Sequence, residues 1–446
     1  MELTFTGRNE ELDYLNKEAK DDSFKMFPIY GRRRVGKTRL VKEFLKNKNG
    51  LYLLSKETSI QENLKRISKD IKSKFNLDYN LNFETFEDLF EFLKDKEKLI
   101  IAIDEFPYLV RLDKSIPSRF QYIIDEILKE TNHKLLLIGS SISMMEKHLL
   151  SYKSPLYGRR SGQIKLEPLE FSYMKELFPN QSSKNLAKVY GITGGVPSYL
   201  ESLNSIKFDK VIKQVLNKKS IFFEEVDFLL REELKEPKNY RLILTSIASG
   251  KTKFTDISND TNIDRTSLTK YFSILINLGF IEKKTPLLSS RNTKKTYYQI
   301  KDNFIDFSFR FIEEYRKEIV FENETFFKEF KERYNTYMGE VYEKIAKQFL
   351  EKKYKRNFSK QWGTYRVKKN NRAYEIDLMN ASKDKVIAYE IKWKKLSDND
   401  IKRITDKYQK ILKKITKQKE IEIGIIAKSF ENKKDNFYDI KDIITQ

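Results

Sequence analysis

The chain has 446 residues, of which 39% are hydrophobic and 34% charged, with no cysteine and two histidines. This length exceeds one core of roughly 150 residues and predicts two to four domains. The missing cysteines exclude disulfides, thiol catalysis and Cys-based zinc sites, and two histidines leave little for a His-ligated metal, so oxygen ligands must hold any metal ion.

Charge and hydropathy indicate the compartment and the partner. No window approaches roughly 18 uninterrupted apolar residues, and Met1–Glu11 lacks the apolar region of a signal peptide. We therefore predict a cytoplasmic protein without a membrane span. The formal net charge of +22 favours a nucleic acid partner, double-stranded DNA in particular, although a lysine-rich composition also follows from an AT-rich genome or from solubility.

Pattern changes predict five segments. Residues 1–165 alternate apolar strands with amphipathic helical stretches, which predicts a parallel sheet covered by helices. The predicted strands are Phe27–Tyr30, Leu51–Leu54, Leu99–Ile103 and Leu135–Ile138. The rest predicts a helical lid at 166–235, a winged helix-turn-helix at 236–300, a helical connector at 301–333 and a small α/β domain at 334–446.

A complete phosphate-binding loop follows the first strand and opens a helix. Glycines let backbone N–H groups curl around phosphate oxygens, a lysine reaches the β and γ phosphates, and a hydroxyl binds Mg²⁺ at the positive end of the helix. We predict that Lys37 and Thr38 fill the last two roles in a site for ATP and Mg²⁺. The loop consists of Gly31, Arg32, Arg33, Arg34, Val35, Gly36, Lys37 and Thr38.

The third strand ends in two carboxylates. Asp104 is predicted to hold Mg²⁺ through water, and Glu105 to act as the general base on the attacking water. Residues 1–165 are thus predicted to be a P-loop ATPase core.

Other polar residues have two interpretations each. Ser140 and Ser141 end the next strand and either sense the γ-phosphate or only form a turn. Arg159 and Arg160 are candidates for an arginine finger, because a guanidinium neutralises charge on the transferred phosphoryl group, or are ordinary surface arginines.

These residues resemble the archaeal-type ATPases of the AAA+/STAND superfamily. The resemblance implies that Gly7 and Arg8 lie near the adenine, that Arg159 approaches the γ-phosphate and that the lid closes on the nucleotide. It rests on Phe5-Thr6-Gly7-Arg8 with Glu11, the loop from Tyr30 to Thr38, Asp104-Glu105, Leu156-Tyr157-Gly158-Arg159 and Gly194-Gly195-Val196-Pro197.

The segment 236–300 carries a helix-turn-helix pattern followed by a predicted wing. Its third helix would face a DNA groove and the wing would contact phosphates. Such modules also dock on proteins, so the partner stays open. The candidate base-reading residues are Arg265, Thr266, Ser267 and Lys270, and the candidate phosphate contacts are Lys283, Lys284, Arg291, Lys294 and Lys295.

The last segment predicts a helix, a β-hairpin, another helix and a strand. Residues two apart on a strand share a face, so Glu390 and Lys392 point the same way, and Asp377 from the neighbouring strand could complete a Mg²⁺ site beside a lysine. The pattern resembles the PD-(D/E)xK nuclease fold, a restriction-endonuclease-like domain. That resemblance places Glu343, or alternatively Glu340, with Asp377, Glu390 and Lys392 in the site, although Glu375-Ile376 stands where the motif has proline.

The resulting prediction is an ATPase whose nucleotide controls DNA binding and Mg²⁺-dependent DNA cleavage. The main alternative is a non-cleaving, STAND-like regulatory ATPase that binds a protein partner or forms a homo-oligomer. A DNA-translocating motor ranks last, because additional helicase motifs are not evident.

Overall fold

The computed structural model describes residues 3–234, 236–290, 293–323, 325–367, 370–416 and 420–445. The chain forms two compact units. The N-terminal unit comprises Phe5–Pro168 and Val196–Ser198, and the C-terminal unit comprises Leu169–Gly195 and Tyr199–Gln446 with the first four residues. Among the described residues, no helix is long and apolar enough to cross a membrane.

The N-terminal unit is built on a five-stranded parallel sheet in the order β2-β3-β4-β1-β5. Every residue of β3 and β4 is buried, because helices cover both faces of a parallel sheet. The predicted parallel α/β architecture is therefore confirmed. The strands are β1 (Lys25–Tyr30), β2 (Gly50–Leu54), β3 (Ile100–Asp104), β4 (Lys134–Gly139) and β5 (Ile164–Lys165).

Amphipathic helices pack on this sheet. Leu40, Val41 and Phe44 from one face of α2 join the core beneath β1. The helices are α1 (Asn9–Lys20), α2 (Lys37–Leu45), α3 (Ile60–Lys74), α4 (Phe86–Lys94), α5 (Phe106–Leu112), α6 (Ile116–Tyr122) and α7 (Ile142–Met145).

The C-terminal unit begins with a helical region. It contains α8 (Met174–Leu177), α9 (Ser183–Thr193), α10 (Pro197–Glu201, which begins in the N-terminal unit), α11 (Phe208–Val215) and α12 (Ile221–Glu233). Three helices and an antiparallel hairpin follow in the order predicted for 236–300. They are α13 (Pro237–Ala248), α14 (Phe254–Thr261), α15 (Arg265–Asn277), β6 (Ile281–Lys284) and β7 (Tyr297–Ile300).

A continuous helix crosses the boundary predicted at residue 334. After α16 (Asn303–Phe307) and α17 (Arg316–Val320), the helix α18 runs over 29 residues from Phe326 to Tyr354. Its first half closes an aromatic cluster, in which the ring centroids of Phe311 and Phe330 lie 5.1 Å apart. The cluster consists of Phe307, Phe311, Phe330, Tyr334 and Tyr337.

The chain ends in a mixed sheet with the order β12-β11-β10-β9-β8. Strands β8 to β10 are antiparallel, so the predicted hairpin has a third strand, and β10 to β12 are parallel. The elements are β8 (Ser359–Val367), β9 (Asn370–Ala381), β10 (Lys385–Leu396), α19 (Asp398–Ile415), β11 (Glu420–Phe430), β12 (Phe437–Asp439) and α20 (Ile440–Ile444).

Candidate functional site: a phosphate-binding loop and a buried carboxylate pair

The loop after β1 is shaped by two glycines. Gly31 has φ +154°, and a Cβ there would lie 2.3 Å from the carbonyl oxygen of Leu166, so only glycine fits. Gly36, at φ +97°, turns the chain into α2. The buried Lys37 folds back over the loop, where its Nζ donates to the carbonyls of Gly31 at 2.8 Å and Arg32 at 2.9 Å. The ammonium is thus held inside the loop by the carbonyls of its first two residues.

Side chains from distant positions support the loop. Nη2 of the buried Arg8, just after Gly7 at φ +69°, donates to the carbonyl of Val35 at 3.0 Å and to that of Glu167 at 2.7 Å. Arg8 therefore braces the loop backbone. Its place near an adenine, which the resemblance implied together with Gly7, stays a prediction.

Two arginines of the loop have different surroundings. Arg33 donates to the Tyr108 hydroxyl at 2.8 Å, whereas Arg34 is exposed at φ +72°. The backbone N–H of Ser198 reaches the carbonyl of Arg34 at 3.4 Å. The Gly-Gly-Val-Pro motif therefore returns the chain to the phosphate loop at residues 196–198.

Asp104 meets Thr38 across the sheet. Because β4 lies between β1 and β3, the ends of these three strands face the loop together. The buried Asp104 accepts hydrogen bonds at Oδ2 from Thr38 Oγ1 and from the Tyr52 hydroxyl, both at 2.6 Å. Burial, and then the Asp104 carboxylate, raise the pKa of Tyr52. A hydroxyl and a carboxylate in contact provide oxygen ligands of the kind that suits Mg²⁺.

Glu105 lies next to this pair in a constrained conformation. It has φ +55°, which is uncommon for a residue with a side chain. Ser140 Oγ lies 2.9 Å and 2.8 Å from the two Glu105 carboxylate oxygens, at the end of β4. Ser140 therefore fixes the carboxylate, whereas Ser141 Oγ lies 3.3 Å from Ser143 Oγ. The geometry suits a base held at the mouth of the loop.

The two arginine-finger candidates, Arg159 and Arg160, each contact another side chain of the N-terminal unit. Arg159 donates to both carboxylate oxygens of Asp125, at 2.6 to 3.0 Å, and lowers the pKa of that carboxyl. Arg160 lies 4.7 Å from the ring centroid of Tyr157. An action of Arg159 on a phosphate would require release from Asp125, and its predicted role stays a prediction.

The C-terminal sheet brings Asp377, Glu390 and Lys392 together. Lys392 Nζ lies 2.7 Å from Glu390 Oε1, 3.5 Å from Asp377 Oδ2 and 3.1 Å from the carbonyl of Ile391. Both carboxylates are buried, and Asp377 also accepts the backbone N–H of Ile391 at 2.8 Å. Burial and the nearby Glu390 raise the pKa of Asp377. The two carboxylates and the Ile391 carbonyl thus surround one cation, the ammonium of Lys392.

The two candidate glutamates of α18, Glu343 and Glu340, have different surroundings, and the choice between them stays a prediction. Arg310 binds Glu340 through two bonds, at 3.0 and 2.8 Å, on an exposed face. Burial raises the pKa of Glu343 to about 7, against the opposing attraction of Lys360, and the Asp377 carboxylate adds to the rise. Lys360 Nζ lies 3.1 Å from Glu343 and 2.9 Å from Glu375. Among the described residues, no three acidic or histidine side chains form a group that could hold a metal ion.

The β6–β7 hairpin lies against β8 of the same unit. The backbone N–H of Leu287 donates to the carbonyl of Lys360 at 3.2 Å, and that of Leu288 donates to Gln361 Oε1 at 2.8 Å. The rings of Tyr297 and Trp362 lie 5.0 Å apart, and Leu287 packs against the core of the C-terminal sheet. The predicted wing is therefore docked within the C-terminal unit.

The predicted DNA contacts differ in their exposure. Lys284 is part-buried against Glu282, at 2.9 Å, and burial lowers its pKa, so its ammonium is engaged within the fold. Arg291 lies outside the described residues. Exposed positions are Arg265, Thr266, Lys270, Lys283, Lys294 and Lys295, whereas Ser267 is half-buried.

A strand, a glycine-shaped phosphate loop, a helix and an acidic residue on a neighbouring strand define the class of P-loop ATPases. Residues 5–203 match the model of an ATPase domain found predominantly in Archaea. Residues 308–404 match a family of archaeal and bacterial proteins of unknown function.

The chain also matches individual proteins, one of them over almost its whole length. An uncharacterized protein of Methanocaldococcus jannaschii is 38% identical over 98% of this chain and 99% of its own length. An ATP-binding protein of the same organism is 48% identical over 10% of this chain and 78% of its own length. A Walker-type ATPase of Pyrococcus abyssi matches with a TM-score of 0.51 and 25% identity, over 68% of this chain and 95% of that one. The chain belongs to the same family as the first of these Methanocaldococcus proteins, and its residues 5–203 form an archaeal-type ATPase domain.

Two residues of these sites were missed by sequence reasoning. Tyr52 lies in an apolar strand, and Lys360 is one lysine among many, so neither belongs to a recognisable motif. The strand order β2-β3 places Tyr52 opposite Ala102 and thus beside Asp104, and the pairing of β8 with β9 places Lys360 beside Glu375. A tyrosine in an otherwise aliphatic strand was the one available signal for Tyr52.

Proposed function

We propose that this ATPase uses its nucleotide to control Mg²⁺-dependent cleavage of DNA by the C-terminal domain. The observation that carries the proposal is the buried pair Asp377 and Glu390, held together by Lys392. Burying two carboxylates costs free energy, and a raised carboxyl pKa such as that of Asp377 is found preferentially at functional sites. A site built only for stability would be as well served by apolar residues of similar volume.

The donor set fits magnesium. Mg²⁺ prefers oxygen ligands and is commonly bound by one or two carboxylates while it keeps several waters. Asp377 and Glu390 would hold the ion, and Thr38 and Asp104 would hold the Mg²⁺ of ATP. Glu343 on α18, which the sequence adds as a further carboxylate, is paired with Lys360 and does not form one three-carboxylate group with them among the described residues. When bound, such an ion supplies Lewis acidity at a phosphate oxygen.

The side chains of this domain have distinct tasks. Lys392 carries a positive charge between the two carboxylates, and it can turn to a phosphate oxygen of DNA once those carboxylates are otherwise neutralised. Lys360 balances the charge of Glu343. In the N-terminal unit, Lys37 holds the terminal phosphates and Glu105, fixed by Ser140, takes a proton from the attacking water.

Chain connectivity supports control by ATP. Gly195 accepts the backbone N–H of Leu169 within the C-terminal unit, and Ser198, three residues later, bonds to the phosphate loop within the N-terminal unit. Gly194 and Gly195 both have positive φ, at +61° and +73°. A change of the loop on nucleotide binding would therefore reach the other unit through a short segment. DNA as the partner is supported by the net charge of +22.

The test of this proposal is cleavage of supercoiled plasmid in Mg²⁺ with and without ATP. We expect nicking by the wild type to depend on ATP, and to fall at least about tenfold in Lys37→Ala, because the lysine contacts the phosphates. Lys46→Ala, an exposed lysine just after the same helix, is the matched control. If the wild type cuts no plasmid under any nucleotide, the cleavage proposal is wrong while the ATPase assignment stands.

A second candidate function is favoured by the docked hairpin. Since Leu287, Leu288 and Tyr297 contact β8, the helix-turn-helix segment would act as an internal docking module of a non-cleaving regulatory ATPase.

A double-mutant cycle with Tyr297→Ala and Trp362→Ala tests this docking. We expect a coupling of about 0.5 to 1.5 kcal/mol in the free energy of unfolding, as for an aromatic pair. A docking module also predicts unchanged DNA affinity in Lys294→Gln/Lys295→Gln, whereas a wing that contacts DNA phosphates predicts weaker binding with a smaller salt dependence. Absence of coupling would contradict the docking role.

A further inference from the structure

A lysine-lined cavity opens in the C-terminal unit, away from the residues assigned above. Its volume is about 590 Å³, within the range of small-ligand pockets, and Asp209 is the one carboxylate that lines it. Its walls come from the start of α9, the start of α11 and the first half of α18. The four lysines are Lys184, Lys188, Lys207 and Lys331.

These lysines lack carboxylate partners within the described residues. The contrast with other lysines of the same unit is clear, since Lys360 and Lys385 each contact two carboxylates. Like charges collected in a concave surface raise the local positive potential, because the low-dielectric walls focus the field. The cluster therefore costs free energy unless an anion offsets it.

The pKa of a fifth lysine, Lys428, is affected by the charges of this cluster. Burial lowers the pKa of Lys428, on β11, and the positive charges of Lys188 and Lys184 lower it further. Lys428 Nζ lies 5.1 Å from the ring centroid of Trp393, so its position is fixed.

The walls of the cavity are preformed. Asn185 donates to the carbonyl of Ile206 at 2.7 Å and accepts the backbone N–H of Phe208 at 2.9 Å, which joins α9 to the start of α11. The ring of Phe208 packs on Tyr334 at 5.0 Å, and Lys188 Nζ lies 4.7 Å from the Phe208 centroid. The helices that carry the lysines are therefore held in place and need little rearrangement when a ligand binds.

We propose that this cavity binds a small molecule that carries two or more phosphate groups, at a site separate from the phosphate loop. Ammonium groups bind phosphate as point charges, and several lysines around one volume match a chain of phosphates. A half-open cavity of this volume suits a compact ligand better than a duplex. The ligand would contact Lys331 and Asn335 on α18, the helix that also carries Glu343.

The test is calorimetric titration of the full chain with inorganic tripolyphosphate. The Lys37→Ala background removes binding at the phosphate loop. We expect one remaining site, whose affinity falls at least about tenfold in Lys184→Gln/Lys188→Gln, since two charge-assisted contacts are lost. The matched control is Lys410→Gln/Lys414→Gln on α19, which removes the same charge from exposed positions at the same helical spacing.

Three outcomes overturn the proposal. The first is no binding of tripolyphosphate in the Lys37→Ala protein, and the second is an equal loss of affinity in the test pair and the control pair. The third is a loss of duplex DNA affinity in the test pair with tripolyphosphate binding unchanged, which would assign these lysines to a DNA contact. Thermal melting of both pairs distinguishes loss of the site from loss of the fold.

Discussion

Replacement of Glu105 by glutamine should lower ATP turnover by about 10²- to 10⁴-fold, while ATP binding is retained. Glutamine has the shape of glutamate but cannot accept a proton from water. The Ser140 hydroxyl lies within hydrogen-bond distance of both carboxylate oxygens and donates its single proton to them, so the proposed base is oriented before ATP binds. Turnover is measured by phosphate release and affinity by titration with a fluorescent ATP analogue.

Ser140→Ala provides the graded comparison for this experiment. This substitution keeps the Glu105 carboxylate but removes the hydrogen bond that orients it. We therefore expect a smaller loss of ATP turnover, of about tenfold, as for one hydrogen bond to a charged group. Glu130→Gln, an exposed position with the same chemical change, should have no effect. Wild-type turnover in Glu105→Gln would show that another residue is the base.

Asp377→Asn and Glu390→Gln should each abolish plasmid cleavage while ATP turnover stays at the wild-type level. The expected loss is on the order of 10²-fold or more, equivalent to about 3 kcal/mol of transition-state stabilisation. The amides keep the volume but remove the charge that would hold Mg²⁺. Asp384→Asn, in the exposed turn between β9 and β10, is the matched control.

The melting temperature of the variants distinguishes a functional carboxylate pair from one that only stabilises the fold. Burial raises the pKa of Asp377, so its charge is unfavourable in the folded chain. Asp377→Asn should therefore leave the melting temperature unchanged or higher, although cleavage is lost. Cleavage that persists in both folded variants would show that these carboxylates are not catalytic.

Local motifs made the nucleotide site predictable from the sequence. The loop from Gly31 to Thr38 is contiguous, and its conformation follows from glycines, a strand before it and a helix after it. Asp104 was predicted from one more contiguous segment, the apolar run Leu99–Ile103 that it follows. The parallel sheet follows from the same pattern, since every buried strand precedes or follows an amphipathic helix.

Long-range contacts were not predictable in this way. Tyr52 contacts Asp104 because of a strand order that no single segment encodes. Lys360 contacts Glu343 from β8, the strand that the predicted hairpin did not include. Lys284 contacts Glu282, only two residues away, but its partial burial depends on the elements that pack around β6 and not on this local pair. A lysine-rich composition hides such cases, because each lysine is equally plausible as a surface residue.

The continuous helix α18 determines how the C-terminal half unfolds. A fragment that starts at residue 334 would divide the aromatic cluster, and leave Phe307, Phe311 and Phe330 on the removed side. Because each of these rings contacts another across the cut, the connector and the final domain should melt in one cooperative transition. The family match over residues 308–404 begins inside the same cluster, so this block of sequence carries its own hydrophobic anchor.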